Sequence, residues 1–157
     1  MLKYHSVQLA FQEVPDEITL AINIAGCPNH CDGCHSPWLW EDKGTVLDEN
    51  AIDNIMKGQD GFTCICFMGG DSDVPMVSQL AKYVKDKYKV KVAWYSGKDD
   101  LPKKTEMDYE NLEYVKIGHY DKERGGLDSV WTNQRLLEVK HGTLFQDITN
   151  KIRVNKV

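Results

Sequence analysis

No apolar run in this 157-residue chain is longer than a strand. A bilayer-spanning helix needs ~20 such residues, so no membrane role is expected. No block of Lys and Arg stands out either. With 24 acidic against 19 basic side chains the formal net charge is −5, which speaks against a nucleic-acid-binding surface. The opening residues, Met1-Leu2-Lys3-Tyr4-His5, lack the apolar stretch of a signal peptide, so the expected compartment is the cytoplasm. Internal repeats, low-complexity stretches and linkers are missing as well, and the length is that of one domain, expected to span residues 1–157. The five cysteines are an odd number without an export signal, which argues against a disulfide framework.

Hydrophobic periodicity divides the middle of the chain into alternating strands and helices. Glu17 to Ala25 reads as a strand, with Ile18, Leu20, Ile22 and Ile24 on one face at period two. Leu47 to Lys57 reads as a helix capped by Asp48, with Ala51, Ile52, Ile55 and Met56 at helical spacing. Phe62 to Met68 is a continuous apolar run, as expected of a strand buried on both faces. Val74 to Tyr88 reads as a second amphipathic helix, Val90 to Tyr95 as a third strand, and Tyr114 to Gly118 as a fourth. A short helix is expected at Tyr109 to Leu112. Leu136 to Lys140 and Thr143 to Ile148 read as a hairpin turning at His141-Gly142. Such an order implies an α/β fold of parallel strands joined by right-handed crossovers. A full eight-fold barrel takes ~250 residues, so the expectation is an incomplete, laterally open (β/α) barrel.

Three cysteines crowd into one segment, Gly26-Cys27-Pro28-Asn29-His30-Cys31-Asp32-Gly33-Cys34-His35, directly after the first strong strand. The spacing Cys-x3-Cys-x2-Cys points to metal ligation. Zinc wants four ligands, which His30 or His35 could complete. A ferredoxin-type cluster wants four cysteines. Three thiolates on a cubane of four irons leave one iron without a protein ligand, a vacancy that a substrate or cofactor can fill. Gly26 and Gly33 let the backbone pass close to an inorganic core. Cys64 and Cys66 alternate along a strand that reads as buried, and are expected to pack as small apolar side chains. Trp38 and Trp40 either shield the cysteines, meet a partner or pack in the core.

At these residues the chain resembles the radical S-adenosylmethionine superfamily, and more narrowly the branch that activates anaerobic, class III ribonucleotide reductase. The likeness is carried by the cysteine segment, by Phe67-Met68-Gly69-Gly70-Asp71, by Trp94-Tyr95-Ser96-Gly97, and by Gly125-Gly126-Leu127-Asp128 leading into Thr132-Asn133-Gln134-Arg135. The resemblance implies that Cys27, Cys31 and Cys34 bind a [4Fe–4S] cluster whose free iron chelates S-adenosylmethionine. It implies that Gly33, Cys34 and His35 lie at the adenosyl part, and that Gly69, Gly70 and Asp71 meet the methionine amino group. Asp71 stands where many relatives have Glu, and residues 5–15 lack the Asn-Gly-Pro-Gly turn often seen in the branch.

The activity implied is reductive cleavage of S-adenosylmethionine to methionine and a 5′-deoxyadenosyl radical, with no catalytic side chain required. The implied partners are the large subunit of anaerobic ribonucleotide reductase, on which a glycyl radical is generated, and a flavodoxin-like electron donor. Two other readings stand beside this one: a small radical enzyme acting on a metabolite, and a non-catalytic iron–sulfur or zinc module.

Overall fold

The computed structural model describes residues 1–11, 13–34 and 36–154, without the side chains of residues 153 and 154. Its strands are β1 (Leu2–Ala10), β2 (Thr19–Ile24), β3 (Thr45–Leu47), β4 (Cys64–Met68), β5 (Lys91–Tyr95), β6 (Tyr114–Ile117), β7 (Arg135–Lys140) and β8 (Leu144–Asp147). They form one mixed sheet in the order β3-β1-β2-β4-β5-β6-β7-β8. The α-helices among the described residues are α1 (Glu49–Gly58), α2 (Val74–Tyr88) and α3 (Thr149–Val154), with 3-10 turns at Pro37–Trp40 and Tyr109–Asn111.

The expected incomplete (β/α) barrel is not what the chain builds. Only the central β2, β4, β5 and β6 are parallel. The N-terminal segment, for which no element is expected from the sequence, pairs antiparallel with β2 as β1, and β3 adds to its outer side. At the other edge the anticipated hairpin forms and pairs antiparallel with β6. The crossover from β5 to β6 contains a 3-10 turn and no α-helix among the described residues. A barrel needs parallel strands with a helix after each one. Here both edges of the parallel block are closed off by antiparallel strands, and the result is an eight-stranded open sheet.

Local signals explain the helices. The Asp48 carboxylate accepts from the Ala51 N–H at 2.8 Å and caps α1. Asp73 does the same for α2 through Met76 N–H at 3.3 Å, with Pro75 in the first turn where no amide is missed. Lys89, left-handed at φ 58°, ends α2 with its N–H on Lys85 O. Val77, Leu80, Ala81 and Val84 of α2 and Ile52 of α1 are buried against Ile65 and Phe67 of β4. Burial contributes roughly 1.5–3 kcal/mol for each large side chain among them.

The other sheet face carries a smaller cluster: Cys64, Cys66, Ala93, Tyr95, Tyr114 and Leu136, covered by Val14 and by Ile152 of α3. This face is left thinly covered toward the C-terminal ends of the parallel strands, where the cysteine loop also lies. No described helix is long and apolar enough to cross a membrane.

Candidate functional site

The cysteine segment leaves the C-terminal end of β2 as a loop whose neck is closed by backbone bonds. Gly26 N–H donates to Glu41 O at 3.1 Å and Cys27 N–H to Leu39 O at 2.9 Å. Left-handed backbone at Gly26, His30 and Gly33 (φ 74°, 46° and 74°) turns the chain back on itself. The His30 ring stacks on Trp40 with centroids 4.7 Å apart, which gives that tryptophan a structural use. Gly33 is packed close to Lys122, whose Cβ would be 2.9 Å from a side chain's first carbon, and Asp32 pairs with the same lysine at 2.9 Å.

Cys27, Cys31 and Cys34 are free thiols, each partly exposed. Two already receive N–H donors. Asn29 Nδ2 lies 3.6 Å from Cys27 Sγ, and the Ser36 N–H donates to Cys34 Sγ at 3.3 Å. Among the described residues no three His, Cys, Asp or Glu side chains gather as they would around a single metal ion. A cubane is different, since its ligands approach separate corners. Cys64 and Cys66 lie on β4 at 0% exposure. Burial pushes the Cys64 thiol up to about 12 and that of Cys66 well above its ordinary value. Burial thus favours the neutral thiol at both, whereas the three loop cysteines are partly exposed. His35 lies outside the described residues.

The Gly69-Gly70-Asp71 segment follows β4 on the same side as the loop. Gly69 O accepts from the Trp94 indole N–H at 2.7 Å. Gly70 is turned inward: a β-carbon there would meet Val77. What Gly70 offers a ligand is thus its backbone. Asp71 accepts from Ser96 Oγ at 2.5 Å, from Gly97 N–H at 2.8 Å and from Asn29 Nδ2 at 2.7 Å, tying three loops together. Below them Lys116 of β6 is buried and donates to Ser96 O at 3.0 Å and Gly118 O at 2.8 Å. Burial lowers its pKa to about 8, against the opposing pull of Asp71, Cys31 and Cys27.

Two cavities flank the cysteine loop. One, about 520 Å³, is lined by Asn29, Cys31 and the His119–Asp99 pair; His119 Nδ1 is 2.7 Å from Asp99 Oδ1. The other, about 440 Å³, is lined by Cys34, Met68, Gly69, Ser96, Lys116 and Gln134, within the size range of small-molecule sites. Residues 126–128 also line it. The four stretches singled out in the sequence thus reach one cavity. From the sequence alone Asn29, Ser96 and Lys116 have no role of their own, although Asn29 and Ser96 lie in two of those stretches. For Lys116 the signal was present, a lysine inside the short apolar strand Tyr114–Ile117.

A family model described as a 4Fe-4S single cluster domain matches residues 18–124, more than half of the chain. The chain belongs to that family. No curated protein and no solved structure matches it. A 4Fe-4S cluster is accordingly the cofactor of this 4Fe-4S single cluster domain. All five cysteines lie inside the matched range, so burial and not the match separates Cys64 and Cys66 from the loop. The loop suits a cluster: it holds soft thiol donors and N–H groups at two sulfurs, and Lys116 of β6 is near enough to feel the charge of Cys27 and Cys31.

Proposed function

We propose that Cys27, Cys31 and Cys34 hold the cluster with one iron free of protein ligands, and that the chain is a radical S-adenosylmethionine enzyme acting as one domain. The observation that carries this is the 440 Å³ cavity, which has Cys34 in its wall together with Gly69 at the end of β4. S-adenosylmethionine is assigned to that cavity, with Cys34 toward the adenosyl part and the Gly69 backbone toward the methionine end; Gly33, Gly70 and Asp71, which do not line it, join the site by resemblance alone. When bound, the two cofactors supply one-electron cleavage of a carbon–sulfur bond and hence a carbon radical that abstracts hydrogen. The chain's own residues bind, orient and dehydrate the site: the loop neck fixes the cysteines, Asp71 locks three loops, and Leu39 and Leu127 add apolar wall.

The substrate proposed is a backbone glycine of the large subunit of anaerobic ribonucleotide reductase, and the electron donor a flavodoxin-like protein. The support is the resemblance of residues 125–128 and 132–135 to the activating branch, together with Gln134 and residues 126–128 reaching the cavity.

The test has two stages. Reconstituted protein with S-adenosylmethionine and dithionite should yield methionine and 5′-deoxyadenosine in equal amounts. With the reductase large subunit added, a glycyl-radical doublet should appear in the electron paramagnetic resonance spectrum. Cleavage without a doublet moves the substrate to a metabolite. No cleavage by a fully loaded protein leaves a non-catalytic cluster domain.

A further inference from the structure

The side-chain amide of Asn29 stands between two acceptors. Its Nδ2 lies 2.7 Å from Asp71 Oδ2 and 3.6 Å from Cys27 Sγ. A carboxylate and a thiolate accept hydrogen bonds and do not donate them, so the amide must present its nitrogen to both, one proton to each. Asp71 is itself held in place by the Gly97 N–H on Oδ2 at 2.8 Å and the Ser96 hydroxyl on Oδ1 at 2.5 Å. Ser96 Oγ in turn accepts from the Lys98 N–H at 3.1 Å. The carboxylate therefore has three donors and is committed to the loops around it.

Gly97 gives an independent sign that this arrangement is built in. A β-carbon at position 97 would lie 2.5 Å from Asn29 Nδ2 and 3.5 Å from Asp71 Oδ2, and the Gly97 φ is outside the left-handed region. Backbone strain does not exclude a side chain here. A β-carbon would instead push the Asn29 amide out of its place.

We propose that Asp71 is a positioning residue that aims the second amide proton of Asn29 at the Cys27 sulfur, and that this hydrogen bond raises the reduction potential of the cluster. The proposal rests on Cys27 being a cluster ligand. An N–H directed at a ligand sulfur favours the reduced state, which carries one more negative charge. Hydrogen bonds to the sulfurs are among the levers that set the potential of such clusters. The role assigned to Asp71 by resemblance, contact with the methionine amino group, differs from this one in its consequence. A residue that meets only the cofactor would leave the potential unchanged when no S-adenosylmethionine is present.

Two uncharged substitutions test the proposal without altering the net charge. Asn29→Leu removes the donor at similar bulk, and Gly97→Ala keeps the amide and displaces it. Each reconstituted variant is titrated potentiometrically without S-adenosylmethionine, with the reduced cluster followed by electron paramagnetic resonance. Both should hold wild-type iron and show a midpoint potential more negative than wild type. An unchanged or higher potential in Asn29→Leu overturns the proposal. Wild-type iron content in Cys27→Ala overturns instead the ligand assignment beneath it. Should the variants not hold iron, the metal-free protein decides. Its Asn29 side-chain N–H protons should exchange with solvent more slowly than those of exposed Asn50, and Asp71→Ala should remove that protection. An Asn29 amide exchanging as fast as that of Asn50 in the wild type shows that no latch exists.

Discussion

Gly70 stands so close to Val77 that a β-carbon on it would lie 2.5 Å from Val77 Cγ2. The same residue has φ 94°, a conformation that side chains rarely adopt. Two separate costs therefore fall on Gly70→Ala, one steric and one conformational. The variant should lose about 2–4 kcal/mol of stability in urea titration of the metal-free protein. Gly70→Ala combined with Val77→Ala relieves the clash and leaves the conformational cost. The double variant should therefore lose less than the two single losses added together. Strict additivity would mean that the two residues do not meet.

Iron and sulfide analysis separates the two sets of cysteines. Cys27→Ala, Cys31→Ala and Cys34→Ala should each lose the cluster, about four irons and four sulfides per chain. Cys64→Ala and Cys66→Ala should retain it, because their thiols are buried in the second core cluster and burial keeps them protonated. Their effect belongs to packing, a loss of about 1 kcal/mol in unfolding free energy. A folded Cys66→Ala protein without iron would return that thiol to the ligand set.

Much of the central fold is legible in sequence because it obeys one period at a time. Val77, Leu80, Ala81 and Val84 give α2 its bounds, and the run ending at Met68 gives β4. The N-terminal strand is not legible for a physical reason. Lys3, Tyr4, His5 and Ser6 neither alternate cleanly nor form an apolar run, and the register shifts between Tyr4 and Ser6. Without β1, strand–helix alternation points to a barrel, whereas antiparallel partners on both edges make an open sheet. The cysteine loop was readable because its spacing carries chemistry by itself. The partners of Asp71 were not, since Asn29, Ser96 and Gly97 come from two loops distant in sequence and meet only across the sheet ends.

Acid should act on the junction of α1 and α2. Asp53 accepts from Tyr83 at 2.8 Å, from Lys87 at 3.0 Å and from Tyr88. These partners, Tyr88 first, hold its carboxyl down at about 2 from an ordinary 3.8. A depressed carboxyl contributes stability above its unfolded pKa and loses it as the pH falls toward the folded one. Asp53→Asn should thus be less stable than wild type at pH 7, and the difference should shrink between about pH 4 and pH 2. Urea titrations of both proteins across that window provide the check. A difference that stays constant into acid would place its origin in shape and not in charge.

Alkali should act on Lys116 in the opposite sense. Its ammonium is 9% exposed and gives protons to Ser96 O and Gly118 O. Burial nonetheless lowers its pKa to about 8 from 10.5. Between those values the folded protein binds fewer protons than the unfolded chain, so stability rises with pH across the window. The penalty of a buried charge is fully present below pH 8 and is relieved as the amine becomes neutral. Cysteine and tyrosine titrations also fall in this range and would obscure the effect in wild type alone. Subtracting the unfolding free energy of Lys116→Met removes the titrations that do not touch the lysine, while Cys27 and Cys31, whose charge pulls its pKa upward, temper the remaining rise. For the metal-free proteins, the difference, wild type minus variant, should climb by as much as about 3 kcal/mol from pH 8 to pH 10.5. A flat difference would mean that the lysine keeps its hydration in the folded chain. Burial would then not be what sets the charge of this lysine in the cavity wall.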